Sequence, residues 1–252
     1  MRHILSRHGL AQLATFARGR VLLAFDFDGT LAPTVADRHQ AQMRDQTRAL
    51  FERLCRVYPC VVISGRSRRD VRARLQGALI RDVVGNHGLE PSRSMRPFGR
   101  RIALVRGELE AALKACSGLE IEDKGYSLAI HYRLAPETTS ARRRIHAAIS
   151  RVTAAIRVVP GKMVVNVVPA GAPHKGDALL QLWRRSRAQR ALYIGDDVTD
   201  EDAFGLDGPG HLLAIRVGTS RSSAAGYYLR RQREMDALLA HLSELRSQGS
   251  WR

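Results

Sequence analysis

The sequence predicts an α/β protein, a parallel-sheet core with a smaller α+β module inserted into it. Two observations carry this. Short continuous apolar runs at residues 21–25, 60–63 and 191–194 alternate with longer amphipathic stretches, the rhythm of βαβ units whose strands are buried on both faces. Between residues 94 and 170 that rhythm gives way to helix, hairpin, helix, hairpin, the pattern of an antiparallel sheet with helices on one side.

The elements follow in order. Residues 1–18 read as an amphipathic helix, with Ile4, Leu5, Leu10, Leu13 and Phe16 on one face. A strand over 21–25 runs into Asp26. A helix over 41–57 leads to a strand over 60–63 that ends at Ser64, then a helix over 68–75 and a strand near Val83 and Val84. Residues 91–99, rich in Pro, Ser, Arg and Gly, read as a linker. The module then holds a helix over 102–116, strands over 119–122 and 127–133 turning at Lys124-Gly125, and a helix over 138–155 with Arg142, Arg143 and Arg144 partly in solvent. Strands over 156–159 and 162–168 close it, with a hairpin at Pro160-Gly161. Residues 169–173 return the chain to the core. A helix over 177–185, strands over 191–194 and 211–217 and a terminal helix over 234–246 complete it. The domains are therefore expected to be 1–93 with 171–252, and 94–170.

Four segments carry chemistry. Asp26-Phe27-Asp28-Gly29-Thr30 follows the first apolar strand. Residues i and i+2 of a strand point the same way, so Asp26 and Asp28 can share a direction at the strand's carboxyl end, where open α/β sheets bind ligands. Two such carboxylates repel unless a cation or proton intervenes; an acidic turn capping the next helix is the plainer alternative. Ser64-Gly65-Arg66 ends the second strand and offers a hydroxyl, backbone N–H groups and a guanidinium to an oxyanion, although Ser64 as a helix cap explains it equally. Lys175-Gly176 opens a helix, where a phosphate would meet an ammonium and a helix N-terminus together. Gly195-Asp196-Asp197, with Asp200, Glu201 and Asp202 close behind, ends the third strand run. Magnesium takes one or two carboxylates and fills its remaining positions with water and phosphate oxygens, so Asp196 reads as a direct ligand and Asp200 as a group orienting a water or Lys175. The alternative is an acidic patch at a helix start.

Composition frames these segments. The chain has 252 residues, 44% of them apolar, and a net charge of +17 carried mostly by arginine; Lys114, Lys124, Lys162 and Lys175 are its only lysines. Such a sparse residue is informative where it persists. Arginine is scattered, aromatics make up 6%, and no base-stacking pattern is evident, so the charge reads as a solvated surface that attracts anionic substrates rather than as a specific nucleic-acid face. Cys55, Cys60 and Cys116 give neither a disulfide framework nor metal-ligand spacing. With no membrane-length apolar stretch and no signal-peptide pattern, the expectation is a cytoplasmic monomer without membrane association.

The order and spacing from Asp26 through Asp200 resemble the motifs of the haloacid dehalogenase superfamily of phosphohydrolases. The phrases 85–90 (GNHGLE), 122–128 (EDKGYSL), 131–133 (HYR) and 196–201 (DDVTDE) narrow this to a resemblance to the trehalose-6-phosphate phosphatase family. That resemblance implies a Rossmann-like parallel-sheet core with an inserted α+β cap domain closing over the site. It implies Mg2+ held by Asp26, the Asp28 backbone carbonyl and Asp196, a nucleophile in Asp26 and an acid/base in Asp28. Ser64 and Lys175 would stabilise the transferring phosphoryl group, with Asp200 behind them. Arg66, Asn86, His87, Glu122, Lys124, Lys162 and Asn166 would bind a sugar phosphate. The chain departs from the family in residues 161–169, where Asn166 and Val168 stand in place of a usual Glu and Arg. Another sugar phosphate, such as sucrose phosphate or mannosyl-phosphoglycerate, and an idle phosphate- or nucleic-acid-binding module are the competing readings.

Overall fold

A computed structural model describes residues 1–35, 37–90, 96–161, 163–206 and 210–248. In chain order its elements are β1 (Arg2–His3), α1 (Arg7–Phe16), β2 (Val21–Phe25), α2 (Asp45–Val57), β3 (Cys60–Ile63), α3 (Arg68–Arg74), β4 (Asp82–Val84), α4 (Arg96–Leu113), β5 (Glu120–Asp123) and β6 (Leu128–His131). They continue as α5 (Thr138–Ile149), β7 (Ile156–Gly161), β8 (Val164–Pro169), α6 (Lys175–Ser186), β9 (Arg190–Gly195), α7 (Glu201–Phe204), β10 (Leu212–Val217), β11 (Tyr227–Leu229) and α8 (Met235–Gln248). The chain divides into two compact units, Met1–Gly88 with His174–Arg252, and Leu89–Pro173. These boundaries fall five residues earlier and three later than the motif spacing suggests.

Among the described residues the first unit holds a seven-stranded sheet in the order β1-β11-β10-β9-β2-β3-β4, parallel throughout. Every residue of β2 and β3 is buried. Alternate side chains explain why. Leu23, Phe25, Val62, Leu192 and Ile215 join a core with Leu13, Phe51, Leu54, Leu238 and Leu242, from α1, α2 and α8. Leu22, Ala24, Val61, Ile63 and Tyr193 join another with Leu179, Leu182, Ala203 and Phe204, from α6 and α7. The sheet is therefore covered on both faces, and its central strands must be apolar throughout. Phe25 meets Phe51 edge-on with ring centroids 5.4 Å apart. β2 lies between β3, which follows it in sequence, and β9, which comes much later. The strand order reverses there, and the ends of β3, β2 and β9 form the crevice where such sheets bind ligands.

The second unit carries an antiparallel sheet in the order β5-β6-β8-β7. Leu128, Ile130, Val165 and Val167 pack with Ile102, Val105 and Leu109 of α4 and Ile145 of α5. The rung Glu122–Ala129–Asn166–Val159 has the opposite parity and so lies on the other face.

Three local expectations are corrected. The first residues do not continue as one helix: Arg2 and His3 pair with Tyr227 and Tyr228 of β11, and α1 starts only after Ser6, whose side chain caps it. The two added strands, β1 at the edge and β11 beside it, are too short to show a period of two. Helix α4 begins at Arg96, six residues before the apolar periodicity suggests. Pro97 sits in its first turn, where the missing N–H costs nothing. The last hairpin does not turn at Pro160-Gly161. Both residues stay in β7, paired with Val165 and Val164, and Met163 takes the positive φ of 61° that the turn needs. Lys162 lies outside the described residues. Among the described residues no helix is long and apolar enough to cross a membrane.

Candidate active site

Register builds the site. Phe25 pairs with Ile194, and the Asp26 N–H donates to the Ile194 carbonyl at 2.8 Å, which sets Asp26 beside the Gly195-Asp196 turn. Gly29 has φ +80°, and a Cβ there would lie 2.1 Å from Asp196 Oδ2, so only glycine lets the turn after β2 approach this carboxylate. Gly195 is restricted likewise, since its Cβ would meet the Asp200 carboxyl.

Lys175, the first residue of α6, is buried and bridges two carboxylates, with Nζ 2.9 Å from Asp26 Oδ1 and 2.7 Å from Asp200 Oδ1. The Tyr193 hydroxyl donates to the same Asp200 oxygen at 2.6 Å, and Asp200 Oδ2 accepts the N–H groups of Asp196 and Asp197, each at 2.9 Å. Asp200 thus arranges the turn and the ammonium. Asp26, Asp196 and Asp200 each present an oxygen within 4.8 Å of the others, a group that could hold a metal ion. With both Asp200 oxygens engaged internally, Asp26 and Asp196 are the carboxylates suited to direct ligation.

The charge balance points the same way. Three carboxylates surround one ammonium. Burial pushes the Asp26 carboxyl well above its ordinary value, Lys175 opposes this, and Asp200 and Asp196 add to it. Burial, then Asp200 and Asp197, push Asp196 up to about 7, against Lys175 and Arg216. Burial works against the Lys175 ammonium, but Asp200 and Asp26 outweigh it and hold its pKa above the usual lysine value. The surplus negative charge falls on Asp26 and Asp196, which a hard divalent cation would neutralise through the oxygen donors it prefers.

Asp28 is engaged differently. Arg66 grips it at two points, Nε to Oδ2 at 2.6 Å and Nη2 to Oδ1 at 2.7 Å. Arg66 Nη1 reaches Asp70 Oδ2 at 2.8 Å, and Arg74 holds Asp70 from the other side at 3.1 Å. Ser64 is buried at the end of β3, and its Oγ accepts the Arg66 N–H at 3.2 Å. The next turn interlocks with this one: the Asn86 N–H donates to the Arg66 carbonyl at 2.8 Å and the His87 N–H to the Ser64 carbonyl at 2.9 Å. Asn86 and His87 both take positive φ, and a Cβ on Gly65 would strike the His87 ring. The structure therefore brings Asp26, Asp196, Asp200 and Lys175 into direct reach of one another, and links Asp28, Arg66, Ser64, Asn86 and His87 through neighbouring bonds.

In the second unit Glu122 Oε2 lies 3.2 Å from His131 Nε2 and 4.0 Å from Lys124 Nζ. Asn166 is buried, and its Nδ2 donates to the Val159 carbonyl on β7 at 3.3 Å. Tyr193 and Arg216 are site residues that reading apolar runs passes over. Their signal is a lone polar group inside a buried strand run, which must find a partner.

This strand order, with carboxylates crowded at its switch point, fits an α/β fold of the haloacid dehalogenase type. The chain belongs to the trehalose-phosphatase family, whose model matches residues 24–230. A probable trehalose-phosphate phosphatase of Oryza sativa subsp. japonica is 30% identical over 264 residues, covering 95% of this chain and 70% of that protein. A trehalose-phosphate phosphatase of Mycolicibacterium paratuberculosis is 35% identical over 199 residues, 71% of this chain and 49% of that one. The chain thus spans about half the length of its mycobacterial relative. The C-terminal domain of trehalose-6-phosphate phosphatase from C. albicans superposes with a TM-score of 0.78 at 21% identity, covering 96% of this chain and 98% of that domain, a likeness of fold.

Proposed function

We propose that this enzyme hydrolyses trehalose 6-phosphate to trehalose and phosphate through an aspartyl-phosphate on Asp26. The observation that carries this is Lys175 held between Asp26 and Asp200, beside Asp196, in a chain of the trehalose-phosphatase family. Mg2+ is the cation that this donor set suits; bound by Asp26, Asp196 and the Asp28 carbonyl, it would offset the repulsion between phosphate and carboxylate.

The chain's own groups do the rest. Lys175 and Ser64 donate to the phosphoryl oxygens while an Asp26 oxygen forms the new bond to phosphorus and the sugar–oxygen bond to phosphorus breaks. Asp28 gives its proton to the departing sugar oxygen. It then takes a proton from the water that attacks the aspartyl-phosphate, which returns Asp26 and releases phosphate. For this the Asp28–Arg66 pair must open, and the incoming phosphoryl oxygens offer Arg66 another anion. Sugar recognition is assigned to Glu122, Lys124, Lys162 and Asn166 of a cap unit, and to Asn86 and His87. A compartment such as the cytoplasm and a monomeric state fit this reading.

A second reading keeps the chemistry and changes the sugar. It is favoured by Asn166, whose amide already serves the Val159 carbonyl. Phosphate release from trehalose 6-phosphate, sucrose 6-phosphate, mannosyl-phosphoglycerate and glucose 6-phosphate, each with and without Mg2+, decides between them. Preference for the trehalose ester in Mg2+ supports the first reading. Preference for another ester overturns it.

A further inference from the structure

Glu201 ends the acidic phrase 196–201 and has no part in the chemistry above. It faces Arg216, the only charged side chain of the apolar strand β10. Arg216 pairs in register with Gly195, so it rises from the sheet one residue below Asp196. Its guanidinium is largely buried, with a side-chain exposure of 14%. Nη2 donates to the Asp196 carbonyl at 2.6 Å, and Nη1 to the Asp197 carbonyl at 3.3 Å and to Glu201 Oε1 at 2.7 Å. Glu201 Oε2 accepts the Ala224 N–H at 2.8 Å, which ties in the segment after β10.

The turn that carries Asp196 is thus gripped on both sides. Asp200 takes its N–H groups, and Arg216 takes its carbonyls. A strand would leave those groups to its neighbours, but this turn lies beyond the sheet's last pairing and needs other partners. The Asp200 grip also involves Lys175 and so is part of the chemistry. The Arg216 grip touches only backbone and Glu201. It fixes the two successive peptides that follow the Asp196 side chain, 196–197 and 197–198, and brings a positive charge close to that carboxylate.

We propose that Arg216, held by Glu201, is a positioning residue that sets the Asp196 carboxylate for a divalent cation. This rests on the proposed reading of Asp196 as a metal ligand. Oxygen ligands at a metal depend on outer contacts for their orientation, and losing such a contact typically costs about 10–100-fold in metal affinity. Arg216→Met removes the grip while keeping the length of the side chain. Arg216→Lys keeps the charge with a single donor head. Glu201→Gln leaves Arg216 in place and removes its counter-charge.

The experiment measures Mn2+ binding to the substrate-free full chain by titration calorimetry, with Asp196→Asn as reference and circular dichroism to follow folding. The expected result is a dissociation constant raised by about tenfold or more in Arg216→Met, partly restored in Arg216→Lys and raised about threefold in Glu201→Gln. Wild-type affinity in a folded Arg216→Met overturns the proposal. Should Arg216→Met not fold, wild-type affinity in both Arg216→Lys and Glu201→Gln overturns it. Asp196→Asn separates the two levels. If it abolishes Mn2+ binding while the other variants bind normally, only the positioning role fails. If it binds normally, the metal assignment fails and the proposal with it.

Discussion

Asp28 and Arg66 meet in a two-point ion pair, Nε to Oδ2 at 2.6 Å and Nη2 to Oδ1 at 2.7 Å. The guanidinium is shared with Asp70, which Arg74 fixes in turn, and Arg74 also donates to the carbonyls of His39 and Ala41. Arg66 therefore stands at the head of a supported chain of charges. It can surrender Asp28 to a phosphoryl oxygen and keep its own place through Asp70. Lysine cannot make that fork. Arg66→Lys should lower kcat/KM for the sugar phosphate by about ten- to a hundredfold with little change in melting temperature. Unchanged kcat/KM would mean that Arg66 serves only the resting fold.

Removing the ammonium at the centre should be costlier. Lys175→Met leaves Asp26, Asp196 and Asp200 facing one another with only Arg216, near Asp196, to offset their charge. Breaking a buried pair by deleting one partner costs about 3–5 kcal/mol. The pH dependence follows from the direction of the shifts. Asp26 and Asp196 already have raised pKa values in the folded chain. An acid whose folded pKa is raised binds more protons when folded, so its burden on stability lessens as pH falls. The loss in Lys175→Met should be largest near pH 8 and shrink toward pH 5, read by urea unfolding. A loss that does not vary with pH would contradict the account of the charge balance.

Asp28→Asn tests the acid. Asparagine keeps the shape and one acceptor for Arg66 but cannot pass a proton to a sugar oxygen. General acid catalysis is worth about 10²–10⁴-fold in rate. The variant should lose that much for trehalose 6-phosphate and far less for p-nitrophenyl phosphate, whose leaving group needs no proton. The comparison belongs in single-turnover phosphorylation of Asp26, because the second step also uses Asp28. Equal slowing of both esters removes the acid role.

The central strands were readable because burial on both faces forces a continuous apolar run, and Val21–Phe25 and Cys60–Ile63 stand where that pattern places them. At strand ends, and at a helix start for Lys175, the spacing singles out Asp26, Ser64, Lys175 and Asp196 as candidates, with a helix cap or an acidic turn as the plainer alternative for the Ser and the Asp residues. Partnering was not readable. The spacing puts Asp200 behind a water or Lys175, but nothing in it says that Arg66 turns to Asp28, or that Asp200 also accepts from Tyr193 and spends its other oxygen on two backbone N–H groups. Such choices are made in three dimensions by side chains distant in sequence. Arg216 lies 20 residues from Asp196 and shows only as an interruption of an apolar strand. The start of α4 was hidden for a local reason, since Pro97 and Gly99 read as loop residues until Pro97 is placed in the first helical turn.

Asp70 gives a test on stability alone. Burial works to raise its carboxyl, but its bonds and charges from Arg66 and Arg74 outweigh this and hold it below the usual carboxylate value. An acid with a depressed folded pKa holds fewer protons when folded. Its contribution is complete above the unfolded value, about 3.9, and is lost as pH falls through the folded one. Asp70→Asn should therefore be less stable than the parent at pH 7 and approach it below about pH 4. Denaturant midpoints at pH 7, 5 and 3 would show the gap closing; a constant gap would place the effect in packing instead.

Asn166 stands where the resemblance implies a Glu, and its surroundings sharpen what to expect. Its Nδ2 donates to the Val159 carbonyl, its cross-strand partner on β7. The remaining N–H and the carbonyl oxygen are the groups available in kind to a sugar hydroxyl, one a donor and one an acceptor. Glu122 stands on the same rung two strands away, so both side chains belong to the face opposite the α4 and α5 core. Asn166→Ala removes the bond to Val159 as well as any bond to sugar. The first loss should lower stability by about 0.5–1.5 kcal/mol whatever the substrate. The second should lower kcat/KM for trehalose 6-phosphate by about three- to tenfold and leave p-nitrophenyl phosphate, which has no second sugar, nearly unchanged. Melting curves and both kinetic constants on one preparation separate the two. A stability loss with equal kinetics for both esters assigns Asn166 to the sheet. A selective loss for the disaccharide ester assigns it to the sugar as well.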